Sequence, residues 1–497
     1  MIILQHTRYL HNPPVLHDSL MSDYKLQHEL FVSNNAGTTY SSLLIQLLIV
    51  PTCILLNTQL QHIINTGNIL IRFAVDCITI PYVLLFYYTI LSDYNLQCMV
   101  ILWVVCAILH RWMVSQHTIN HTEVPIPPDQ STQLHYLTLY KSTWMLSTCI
   151  AILSIDFPIM LRTYGKTEYY GYSMMDIGVG GFIYSTALTS ITARNIVSQY
   201  TNRAAATVIP HHIYNTCKSL LPVIVLGLMR LVTLKSVDYQ EHVSEYGVHW
   251  NFFFTIFVVS LLGSILQPIL YNQLQYMWCS IAVICIYQYV LNTTDLAQYI
   301  LYGARTNLFH ANKEGIFSTI GYLAIYLSGV SVGIMLLQCR LNKLYNTSIK
   351  YKLYMFTRLS ILSIILHVLT LFSESYIQLP SRRMVNMTYA LYAVAYSTLL
   401  IALCLLCEIY QQQYCNHTTS SNNNKPHGTT VPILLQSINH NLLFVFMIAN
   451  LFTGVINLSM HTIYTPDMIA LLVNIIYITL VCGIAELLYY HHIKLKL

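Results

Sequence analysis

Stretches of about twenty apolar residues recur along this chain, and they constrain its fold more than any other feature. A helix needs roughly 20 such residues to cross the hydrocarbon core of a bilayer, because it rises only about 1.5 Å per residue. Runs of this kind fall at 41–57, 69–91, 97–114, 142–161, 173–193, 218–234, 250–268, 271–292, 315–338, 355–372, 387–408, 440–458 and 468–489. Only 9% of residues are charged and 55% are hydrophobic, too little polar surface to cover a soluble core. The pattern predicts an all-α fold, a polytopic membrane helix bundle of about 13 transmembrane helices. A single transmembrane domain is expected over 21–497. Residues 1–20 read as an unstructured extension, neither signal peptide nor span, and Met21 is a second candidate initiator.

The net charge of +5 is spread through the loops with no long basic run, so no nucleic-acid partner is expected. The cysteines lie mostly inside apolar segments and show no paired CxxC spacing; Cys404 and Cys407 read as packing, and no metal is expected. The stretches 115–135 and 411–430 read as loops.

An odd number of spans puts the termini on opposite sides and the loops 162–172, 235–249 and 293–314 on one face. The other face, with Arg194, Arg203, Lys218, Arg340, Lys343, Lys350, Lys352, Lys494 and Lys496, is richer in cations. By the positive-inside rule that face is cytosolic and the first is lumenal.

The densest chemistry lies in the segment 156–176, which carries Asp156, Arg162, Lys166, Glu168 and Asp176. Asp156 ends the fourth apolar run, and Pro158 limits how far that helix can continue. A carboxylate at membrane depth costs about 2.5–3.5 kcal/mol on insertion scales, so it is seldom there without use. Asp156 and Lys166 have the character of a base and an electrophilic clamp for acyl transfer; a structural ion pair joining span to loop is the competing reading. Arg162, Glu168 and Asp176 read as a solvated loop, and the glycines after Asp176 as close helix packing.

Three further clusters are candidates for substrate binding, the first of them suited to the hydroxyls of a sugar or inositol ring. The segment 230–251 combines Arg230, Asp238, Glu241, His242, His249 and Asn251, against the alternative of an interfacial aromatic belt. Asn312, Lys313 and Glu314 begin the ninth span, where capping is the simpler use. Asn450 and Asn457 stand seven residues apart on one helix face, with hydrogen bonding between helices favoured for Asn450. Among the remaining buried polar groups, Arg72 and Asp76 are expected to pair, His367 to be a packing residue, and Glu408 and Glu486 to reach water.

Several motifs in one order resemble the inositol acyltransferases of glycosylphosphatidylinositol-anchor biosynthesis, from about Met21 to the C-terminus. They are Ala151-Ile-Leu-Ser-Ile-Asp-Phe-Pro, Lys166-Thr-Glu-Tyr-Tyr-Gly, Met175-Asp-Ile-Gly-Val-Gly, the run from Asp238 to Phe254, Asn312-Lys-Glu-Gly and Asn457-Leu-Ser-Met. Tyr164-Gly165 departs from the family's Phe-Ala, which bears on loop shape. The resemblance implies a multi-pass endoplasmic reticulum enzyme with no tightly bound cofactor. It would transfer a palmitoyl-type chain from the co-substrate acyl-CoA to the inositol 2-hydroxyl of glucosaminyl-phosphatidylinositol. It also implies catalytic roles for Asp156 and Lys166. A transporter or lipid flippase, and a respiratory-complex subunit using Asp76, Asp156 and Glu408 as proton-path groups, are the rival readings.

Overall fold

The structure is a computed structural model, which describes residues 24, 27–28, 30–64, 68–116, 134–201, 209–236, 243–341, 349–415 and 431–495. The expected N-terminal extension and most of the loops at 115–135 and 411–430 lie outside the described residues. Each apolar run corresponds to a helix: α1 (Tyr40–Ile64), α2 (Ile69–Tyr88), α3 (Asn95–Gln116), α4 (His135–Ser154), α5 (Met174–Leu188), α6 (Ile209–Ser236), α7 (Phe252–Leu266), α8 (Gln273–Thr293), α9 (Lys313–Leu341), α10 (Ile349–Tyr376), α11 (Met387–Cys415), α12 (Leu442–Ser459) and α13 (Asp467–Tyr490). A π-helical turn at Ile78–Tyr82, which includes Pro81, interrupts α2. Among the described residues nine of these helices are long and apolar enough to cross a membrane; the four that fall short are α4, α5, α6 and α7.

Contacts between loops join loops of the same parity, as alternating passes require. On the face where α4 ends, Thr38 N donates to Tyr172 O, Gly171 N to Pro380 O and Val248 N to Ala311 O. On the opposite face Asn441 Nδ2 donates to Ile493 O at 2.9 Å, and Glu408 near the end of α11 accepts from Tyr136 N at 2.7 Å. The central helices α9 and α11 bury 83% and 72% of their most apolar windows, whereas α3 and α12 bury 17% each. Those two are therefore peripheral.

Two expectations about buried charge are corrected. Glu408 does not reach water: it is only 4% exposed and forms an ion pair with Lys352 of α10. The helix α10 begins at Ile349, before the apolar run at 355–372, and so carries Lys352. Asp76 is held by Asn57 Nδ2 at 2.7 Å, Gln61 Nε2 at 2.8 Å and Leu434 N at 3.1 Å. These amides supply what Arg72 was expected to.

Candidate functional site

The segment after α4 cannot continue as a helix, because Pro158 has no backbone N–H and forces the residue before it out of the α region. The chain closes into tight turns instead, with Asp156 N bonded to Leu153 O and Phe157 N to Ser154 O. This sets the Asp156 carboxylate at the wall of a cavity of about 1260 Å³ enclosed by α4, α5, α6, α7 and α12. Asn457 of α12 donates to Asp156 Oδ2 at 2.7 Å. Desolvation raises the Asp156 carboxyl above the usual carboxylate range, opposed by the Asn457 hydrogen bond and by the positive charges of His28, Lys166 and Arg162.

Lys166 lines the same cavity, and its ammonium is paired with Glu245. The same Glu245 oxygen lies 3.6 Å from the Arg382 guanidinium, whose Nε is 2.8 Å from Asp176 Oδ1. Asp176 Oδ2 in turn accepts from Thr167 N at 3.1 Å and Thr167 Oγ1 at 2.6 Å. The chain of charges thus returns to the neighbour of Lys166. Asp176 is 0% exposed, so the expectation of a solvated loop is corrected there; its carboxylate folds the loop from within. Ion pairing of Asp156 with Lys166 is likewise replaced by this Glu245 partnership, which leaves the two groups as separate members of one wall.

A strap from the N-terminal segment fixes the loop from outside. Asn35 Nδ2 donates to the carbonyls of Arg162, Gly165 and Lys166 at 2.9, 2.8 and 3.1 Å, and Glu168 N donates back to Asn35 O at 3.0 Å. Gly37 and Gly171 have φ of +79° and +136°, a region that L side chains rarely adopt. A Cβ on either would also strike the backbone of the other strand. Arg162 lines the cavity while donating to Val32 O at 3.1 Å and lying over the Phe31 ring.

Of the residues expected to form the site, Asp156, Arg162, Lys166, Glu168, Arg230, Asn251 and Asn457 line the cavity. Asn251 does so while capping α7, accepting from Phe253 N and Phe254 N and donating to Gly227 O at 2.9 Å. Asp176, His249, Asn312 and Lys313 are not in the lining. Asn312 Oδ1 accepts from His249 N at 2.8 Å and Trp250 N at 2.9 Å, and buried Lys313 donates to Gly303 O. Both shape the loops behind the cavity. The neighbouring Glu314 is clamped by Arg305 at 2.5 Å and Arg383 at 3.1 Å. Asp238, Glu241 and His242 lie outside the described residues.

Sequence reasoning missed Asn35, His28, Arg382 and the bridging role of Glu245. The adjacent arginines 382 and 383 in a charge-poor chain were the available signal for Arg382; Asn35 carried none. Asn450 lines the cavity too, but its amide donates to Phe446 O of its own helix at 2.7 Å, which corrects the expected bond between helices. His367 stands apart, its Nδ1 bonded to the Tyr40 hydroxyl.

The fold and site together define a polytopic helical membrane protein with a large cavity, polar where α4 ends and mostly apolar through its middle. The profile of the GWT1 family matches residues 24–488, and the chain belongs to that family. It is 37% identical to GPI-anchored wall transfer protein 1 of Yarrowia lipolytica over 73% of this chain and 74% of that one. It is 31% identical to phosphatidylinositol-glycan biosynthesis class W protein of Dictyostelium discoideum, with 95% and 99% covered. It is also 31% identical to the mouse glucosaminyl-phosphatidylinositol-acyltransferase PIGW, with 93% and 97% covered.

Proposed function

We propose that this chain is the inositol acyltransferase of glycosylphosphatidylinositol-anchor biosynthesis, acting in the endoplasmic reticulum membrane with the Asp156 face lumenal. It transfers a palmitoyl-type chain from acyl-CoA to the inositol 2-hydroxyl of glucosaminyl-phosphatidylinositol. The observation that carries this reading is the presence of a desolvated carboxylate and an ammonium, Asp156 and Lys166, on the wall of one cavity whose middle length is mostly apolar. A base and an oxyanion clamp serve ester formation, and the apolar walls suit lipid tails.

In the mechanism, Asp156 takes the proton of the inositol hydroxyl as its oxygen attacks the thioester carbonyl. Lys166 stabilises the negative charge that develops on the carbonyl oxygen. The carbon–sulfur bond then breaks, and the departing CoA thiolate takes up the proton. A positioned base contributes about 10²–10⁴-fold to such a step, and an oxyanion donor roughly 2.7–4 kcal/mol. Arg162 and Arg230 stand at the same end of the cavity, where they attract the acceptor's phosphate. Glu245 fixes the Lys166 head.

The test is acylation by the purified chain in nanodiscs, with labelled palmitoyl-CoA and glucosaminyl-phosphatidylinositol as the only substrates. Label is expected on the inositol ring. Movement of lipid between leaflets without a new ester would instead identify a flippase.

A further inference from the structure

The cavity runs lengthwise along α4 and α12. Along α12 its lining extends from Leu442 to Asn457, about 22 Å at the helical rise. Along the α4 wall it extends back from Asp156 to Lys141, a similar length. Between the two ends the walls are mostly apolar, with Met145 and Ile152 of α4, Val179 and Phe182 of α5, and Phe446 of α12.

The far end is cationic. Lys141 lines the cavity there and donates to the Thr189 hydroxyl just beyond α5, and Arg194 on the next short helix adds positive charge to the same end. Among the described residues Lys141 has no carboxylate partner, unlike Lys352, which Glu408 neutralises. The proposed chemistry, some 20 Å away at the other end of α4, makes no use of this ammonium.

We infer that Lys141 is the acyl-length stop of this enzyme: the donor's chain lies lengthwise in the cavity, its carbonyl at Asp156 and Lys166 and its methyl end at the Lys141–Thr189 pair. This inference rests on the acyltransferase reading. An extended chain advances about 1.25 Å per carbon from standard bond dimensions, so a chain of about sixteen to eighteen carbons spans the roughly 20–22 Å between the two ends. Each methylene within that length gains about fourfold in transition-state binding. A methylene beyond it would have to displace the water or hydroxyl that solvates an ammonium, and burying a charge without a partner costs more than a methylene returns. The selectivity therefore falls off steeply on the long side. Lys141 acts by contact with the end of the chain and is distant from the reacting atoms.

The experiment measures kcat/KM of the purified full chain with saturated acyl-CoA donors of 12 to 22 carbons. The wild type is expected to peak at about sixteen to eighteen carbons. Lys141→Leu removes the charge, and its ratio of twenty-carbon to sixteen-carbon kcat/KM is expected to rise by about tenfold or more, within the range one or two methylenes command in an apolar pocket. Thr186→Phe, which fills the far end from α5, is expected to move the optimum below sixteen carbons, so the test stands if Lys141→Leu fails to fold. An unchanged length profile in a folded, active variant overturns the inference, as does a wild type that transfers every length equally. Absence of transfer by the wild type with any donor would instead overturn the acyltransferase reading itself.

Discussion

Asp156 is useful to an acyltransferase only as a carboxylate, and its surroundings set the pH at which it becomes one. Burial against the cavity wall raises its pKa, while the Asn457 hydrogen bond favours the charged form and lowers it. The sign follows directly: activity falls as pH drops through the Asp156 pKa, so the acid limb of kcat/KM should lie above the range of a free carboxylate. Asn457→Ala removes the stabilising donor, and its acid limb should shift to higher pH while the alkaline limb stays in place. A limb that stays or moves down in a pH–rate profile would contradict this assignment. Lys166 is managed differently. Its ion pair with Glu245 fixes the head of a long, flexible side chain, and Arg382 holds Glu245 in turn.

At the scale of elements, α5 does two jobs with its glycines. A side chain at Gly181 would run into the Trp144 ring of α4, whereas a Cβ at Gly178 has no atom within 4 Å because that position opens to the cavity. Gly181→Leu should therefore destabilise the protein by about 1–3 kcal/mol through overpacking, read as a lower Tm in detergent. Gly178→Leu should keep the wild-type Tm but lose acyl transfer by filling the cavity. Equal loss of stability in both would show that Gly178 is a packing position after all.

What was legible in the sequence follows from the range over which each constraint acts. The helices were legible because every span must carry its own apolar run, and Pro158 marked the end of α4 locally. The part of the site on one loop, Asp156, Arg162 and Lys166, could be seen for the same reason. The partners could not. Asp176 looked solvated because Arg382, which buries it, lies in the loop before α11, and Asn35 gave no sign of the three carbonyls it would hold across the strap. Asn312 looked like a binding amide because its true acceptor role, to His249 N and Trp250 N, belongs to another loop.

At the scale of the whole molecule, the four helices too short or too polar to meet the criterion for a span are the ones that enclose the cavity with α12. On the face away from the site, Lys352 and Glu408 join α10 to α11, and Tyr136 N adds the start of α4. Removing one member leaves a buried, unpaired charge, so Lys352→Met should cost about 3–5 kcal/mol. Lys352→Met with Glu408→Gln should recover most of the Tm, and acyl transfer per folded molecule should be unaffected throughout. A double variant no more stable than the single one would show that the pair is not what unites these helices. The account as a whole turns on Asp156, and the most direct measurement is the kcat for acyl transfer by purified Asp156→Asn at saturating substrates. The account predicts a fall of about 10²–10⁴-fold with wild-type Tm and unchanged retention of both substrates; a variant that transfers the acyl chain at the wild-type rate would contradict it.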